Sequence, residues 1–159
     1  MRYTLAAFLL LCASITQAEV KVLTSIKPIQ LIAQEIQGQH GTTELLLPPG
    51  ASPHSFSLRP SDRKRMAQAD LFYWIGPDLE VFLQSLTRQY PNSSVELQSL
   101  PNLHLLYYAD HQEHEHSHDG HDHAHHEHDH HHLPGALDSH LWLSTHNAKV
   151  IAERIAADL

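Results

Sequence analysis

Val20-Lys21-Val22-Leu23-Thr24 opens the stretch that decides the fold. It is short, apolar and rich in β-branched residues, which suits a buried strand. Pro28 follows, and Ile29, Ile32, Ala33 and Ile36 then recur at i, i+3, i+4 and i+7, the spacing of one helical face, until Gly38 supplies a stop. Thr42 to Leu47 reads as a second strand that runs into Pro48-Pro49-Gly50, a cluster that breaks any regular element and forces a loop. A strand, a helix and a strand in so short a span form a βαβ unit, which places its strands in parallel.

The alternation continues outward. Pro60, Ser61 and Asp62 suit the first turn of a short helix that carries Met66 and Ala69 inward. Leu71 to Ile75 reads as a third strand, closed by Gly76-Pro77, and Leu79, Phe82, Leu83 and Leu86 return to helical spacing. Ser94 to Leu97 and Leu103 to Tyr108 are weaker extended stretches, and order resumes at Leu137 to Leu143. Ser144 is a suitable cap for a last helix with Ala148, Ile151, Ala152, Ile155 and Leu159 on one face. Ile151, Ile155 and Leu159 read as an unsatisfied stripe able to drive association. The expected fold class is α/β with a mostly parallel sheet, whose ligands gather where loops leave the carboxyl ends of the strands. The loop that carries His54 follows a strand and is in that place.

The chain has 159 residues, 42% hydrophobic and 18% charged, enough for one domain with a core. Histidine is the anomaly: 17 in all, 12 of them within residues 111–132. These are His111, His114, His116, His118, His121, His123, His125, His126, His128, His130, His131 and His132. Seven acids accompany them from Asp110 onward, without a Lys or Arg, so nearly all of the formal charge of −8 belongs to this segment. The remainder is close to neutral and offers no basic surface for nucleic-acid phosphates. No apolar run reaches the ~18–20 residues that a membrane span requires. Asp110 to His132 lacks apolar residues apart from Ala124 and cannot offset the entropy of ordering, so residues 110–133 read as a disordered His/Asp/Glu-rich insertion.

Residues 1–18 have the form of a secretory signal peptide: Arg2, an apolar stretch from Leu5 to Ile15, then small residues Thr16 and Ala18 at the cleavage positions. Cys12, the only cysteine, lies inside it. Cleavage before Glu19 therefore leaves no thiol, and any metal must be held by nitrogen and oxygen donors. Neutral imidazole suits zinc, copper, nickel and iron, and the His-rich segment can meet an ion in many equivalent ways, as a shallow capture site or as no more than a solvated linker. His54, in Gly50-Ala51-Ser52-Pro53-His54-Ser55-Phe56-Ser57-Leu58-Arg59-Pro60-Ser61-Asp62, is by itself either an exposed loop residue or a ligand. His140, in Asp138-Ser139-His140-Leu141-Trp142-Leu143-Ser144, is by itself either a satisfied core residue or a ligand. Asn92-Ser93-Ser94 matches a glycosylation sequon of the kind that occurs by chance.

These two motifs, with the His-rich insertion between them, resemble the periplasmic zinc-binding proteins of high-affinity zinc ABC transporters. That family lies within the metal-binding class of solute-binding proteins. The resemblance extends over the whole mature chain. It implies two (β/α) lobes joined by a long helix, with the metal in the cleft between them. Residues 19–143 then correspond to the N-terminal lobe, and residues 144–159 to the start of the lobe-linking helix, at which the sequence is truncated. By the same resemblance, His54 is the first metal ligand and His140 the second, while a third histidine and a carboxylate belong to the second lobe. Relatives often have an acid before the first histidine and a proline where Thr145 stands; Pro53 occupies the former place and cannot ligate through its side chain.

The implied function is zinc capture in the periplasm and delivery to the membrane permease of the transporter. The implied cargo is Zn2+, and the protein does not span the membrane once its signal is cleaved. The alternatives are a histidine-rich zinc buffer in which the fold is a carrier, or a manganese- or iron-binding member of the same family. Manganese favours harder oxygen donors, and the histidine excess leans toward zinc. A metallohydrolase would need an open coordination site plus a general base, and no enzyme is expected.

Overall fold

The computed structural model describes residues 19–109 and 134–159. The signal sequence with Cys12, the twelve histidines of residues 111–132 and the disordered insertion read for residues 110–133 lie outside the described residues. The described part holds a four-stranded parallel sheet in the order β2-β1-β3-β4, with β1 at Val20–Thr24, β2 at Gly41–Leu45, β3 at Leu71–Trp74 and β4 at Ser94–Glu96. The strands are joined by α1 (Lys27–Gln37), α2 (Pro60–Gln68) and a short 3-10 turn, Val81–Leu83, that leads into α3 (Gln84–Thr87). A further 3-10 turn, Leu141–Leu143, precedes α4 (Thr145–Asp158). The α/β, parallel-sheet expectation holds.

β1 is paired on both edges, so Val22, Leu23 and Thr24 are all buried, and its run of apolar and β-branched residues follows from that central place. α1 begins with Pro28 in its first turn and ends at Gly38, whose N–H closes on the Gln34 carbonyl and whose φ of 57° turns the chain out of the helix. β2 ends at Leu45, two residues before the predicted Leu47. The backbone still holds on to β1, with Leu46 N–H on the Thr24 carbonyl (2.8 Å) and Leu47 N–H on the Ser25 carbonyl (3.1 Å). The predicted helix over Leu79–Leu86 is broken into a turn, a 3-10 segment and the single turn of α3. Leu79 and Glu80 both donate their N–H to the Gly76 carbonyl, and the Glu80 carboxylate folds back onto the Ile75 N–H at 2.7 Å, which fixes a turn where a helix would otherwise begin. Leu79, Leu83 and Leu86 are nonetheless buried, as their spacing requires.

Two of the three residues read as an unsatisfied stripe on the last helix are not exposed, while Leu159 is 40% exposed. Ile151 and Ile155 are fully buried within the main core, and Leu159 lies just past the end of α4. The apolar face of α4 is covered because the helix packs on α1 and on the 3-10 turn before it. Ser144 caps the helix, its hydroxyl accepting from Asn147 N–H at 3.4 Å.

Candidate metal centre

His54 lies on the loop that leaves the carboxyl end of β2, the edge of a parallel sheet where ligands collect. The loop is built by local bonds: Ala51 N–H reaches the Pro48 carbonyl at 3.1 Å, and the Ser52 hydroxyl accepts from His54 N–H at 3.3 Å. Two residues beyond His54, Phe56 packs edge-on against Phe82 with ring centres 5.6 Å apart, which anchors the loop to the body of the fold. His54 itself is exposed.

His140 arrives from the other side of residues 110–133. The chain before and after that segment pairs as a short antiparallel clasp: Tyr108 N–H reaches the Ala136 carbonyl (2.9 Å), Gly135 N–H reaches Tyr108 (2.9 Å) and Asp138 N–H reaches Leu106 (2.8 Å). The weak extended stretch at Leu103–Tyr108 and the restart at Leu137 are therefore the two halves of one bridge. This clasp aims Asp138 at His140. The Asp138 carboxylate accepts from the His140 backbone at 3.1 Å and from its Nδ1 at 2.8 Å. Burial pushes the Asp138 carboxyl upward, but the bonds from His140, with a smaller one from Tyr108, outweigh it and hold the group below the usual carboxylate range. Tyr108 moves the opposite way, upward, through burial and then the Asp138 charge. With Nδ1–H committed to Asp138, Nε2 of His140 carries the lone pair a metal needs.

The two histidines meet. Their ring centres are 6.3 Å apart with planes tilted by 57°, and Trp142 packs edge-on with His140 at 5.4 Å. Among the described residues no group of three or more His, Cys, Asp or Glu side chains is placed to hold a metal, so this is a pair and not a closed shell. Asp138 and Tyr108 were not singled out from sequence. Asp138 stood inside the quoted motif, two residues before His140, but its bond to the ring depends on a clasp formed across 24 intervening residues.

A parallel sheet with two histidines brought together near the carboxyl end of β2, one of them oriented by a carboxylate, is consistent with a metal-binding solute-binding protein. Residues 22–159 match the family model described as ZnuA, zinc-uptake complex component A periplasmic, and the chain belongs to that family. It is 41% identical over 153 residues to the high-affinity zinc uptake system protein ZnuA of Yersinia pestis, covering 93% of this chain and 48% of that one. It is 42% identical over 148 residues to the protein of the same description from Haemophilus ducreyi, covering 91% and 48%. The Zn(II)-bound ZnuA-like domain of Streptococcus pneumoniae AdcA superposes with a TM-score of 0.63 at 17% identity, over 88% of this chain and 43% of that one. The chain thus spans about half the length of the curated relatives it matches. The expected family and fold class are borne out, and the family is a binding component of an uptake system, not an enzyme. Among the described residues no helix is long and apolar enough to cross a membrane.

Proposed function

We propose that the chain captures Zn2+ as the first lobe of a periplasmic solute-binding protein and serves a zinc ABC transporter by presenting the ion to its permease. In this reading residues 1–18 are the cleaved export signal, residues 19–143 the lobe, and residues 144–159 the start of the helix toward a second lobe. His54 and His140 are the ligands this lobe contributes, with a second lobe or water completing the shell. The twelve histidines of residues 111–132 add low-specificity capture. The observation that carries the reading is the approach of His54 to His140 with Nδ1 of His140 held by Asp138. The two similar ZnuA proteins, both described as zinc uptake proteins, support the choice of cargo. Nitrogen donors without a converging carboxylate favour zinc over manganese.

Calorimetric titration of Zn2+ into the mature chain and into a His54→Ala, His140→Ala double variant with residues 111–132 intact tests the assignment. A distinct phase that is lost in the double variant is the expected result. Superimposed isotherms would place all binding in the His-rich segment and make the chain a zinc buffer.

A further inference from the structure

Trp142 is no ligand, yet it adjoins the ring of one histidine and the loop of the other. It stands in the 3-10 turn Leu141–Leu143, closed by Leu143 N–H on the His140 carbonyl at 3.1 Å, and its indole lies edge-on to the His140 ring with centres 5.4 Å apart. The indole also lines a groove of ≈ 240 Å³ whose other walls come from residues within 26–28 and 45–53, the latter leading directly into His54. Among the described residues that line this groove, Trp142 alone comes from beyond Pro53. It is half-buried and, like Ala51 on the loop of His54, packs on the main core.

The hydrogen bonds described around each histidine are local. Pro48 and Ser52 shape the loop of His54, and Asp138 holds His140, each within its own segment of chain. Such bonds set where each imidazole sits on its own loop, and they leave open how far apart the two loops stand. A rigid aromatic body packed between the loops can set that distance, because an indole is large, stiff and gains from edge-on contact with another ring. Ligands on separate loops must otherwise be ordered when the ion binds, and packing that already holds them removes that cost. The distance held in this way is the 6.3 Å between the two ring centres.

We propose that Trp142 is a positioning residue for the zinc site: its indole, packed on His140 and closing the groove formed by the loop of His54, holds the two imidazoles at their spacing before the ion arrives. The proposal rests on the reading of His54 and His140 as ligands. The whole chain, 15N-labelled in its histidines, is titrated with Zn2+ set at known free concentrations by a chelator buffer, in the parent, in Trp142→Ala and in Trp142→Phe. In the parent, the His54 and His140 signals move together at one midpoint. Trp142→Ala raises that midpoint roughly 10-fold, while the metal-free signal of the His140 Nδ1 proton on Asp138 keeps its place, as a general loosening of the fold would not allow. Trp142→Phe, which keeps an aromatic edge, returns the midpoint to within about threefold of the parent. A parent midpoint in Trp142→Ala overturns the proposal, as does a Trp142→Phe no tighter than Trp142→Ala. A raised midpoint accompanied by loss of the Nδ1 signal also overturns it and assigns the effect to Asp138. Imidazoles that never move in the parent overturn the zinc site and the proposal together. Should Trp142→Ala lose the dispersed amide signals of the folded chain, Trp142→Leu, which fills space without an aromatic edge, gives the same decision.

Discussion

Asp138 fixes which nitrogen His140 can offer, and the strength of that bond sets how firmly the ring is held. Asp138→Asn keeps an acceptor in place but removes its charge. Chelator-competition titration is expected to show zinc affinity at the His54–His140 pair reduced roughly 10–100-fold, with uptake by residues 111–132 unchanged. Glu80 is the other carboxylate whose surroundings matter. It is fully buried, and desolvation pushes its pKa to about 7 against the pull of the Ser25 hydroxyl and the Ile75 and Gly76 N–H groups. Because the folded value lies above the unfolded one, the stability it contributes is complete below the ordinary carboxylate range and is lost as the pH rises through about 7. Between pH 5 and pH 8 that loss is on the order of 3 kcal/mol. Glu80→Gln, which keeps an acceptor for Ile75 N–H, is expected to flatten this slope in urea denaturation, and an unchanged slope would refute the assignment. His54 and His140 were legible in the sequence because each sits in a distinctive motif. Asp138 and Tyr108 were not, since their roles come from partners brought close only by folding.

α2 ties the loop of His54 to the sheet. Asp62 accepts from the Arg59 backbone at 2.9 Å at the helix start and from Arg65 at 2.9 Å, while Arg65 reaches the Leu45 and Leu46 carbonyls at the end of β2. Burial raises the Asp62 carboxyl, yet the bonds from Arg59 and Arg65 outweigh it and the group lies below its ordinary range. Its contribution is therefore held above the unfolded carboxylate value and is lost only in acid. Asp62→Ala is expected to lower stability by about 1–2 kcal/mol at neutral pH, seen as a shifted urea midpoint, with a smaller difference from the parent near pH 3. The starts of α1, α2 and α4 were all readable, because Pro28, Pro60 and Ser144 act through local backbone chemistry. The interrupted helix after β3 was not: the spacing of Leu79, Leu83 and Leu86 records burial correctly, but the turn is imposed by the Glu80 side chain, a preference that periodicity does not carry.

Taken whole, the molecule buries the face of α4 that looked unpaired in the sequence. Apolar spacing identifies a face that must be covered without saying by what, and α1 supplies the cover. Ile155→Ala is thus expected to cost about 2–5 kcal/mol in equilibrium unfolding, as a core truncation does. A near-neutral effect would restore the exposed-stripe reading.

The position of β1 has a consequence in time. This strand is the keystone of the sheet, yet both partners come later: Val22 pairs with Thr43 on one side and with Leu71 on the other. A chain made from its N-terminus first holds its centre strand unsatisfied until α2 has formed and β3 has arrived. Non-local parallel pairing of this kind is slow. Val20–Thr24, waiting with both edges bare, is the segment in most danger of pairing with a neighbouring chain before its own sheet can claim it.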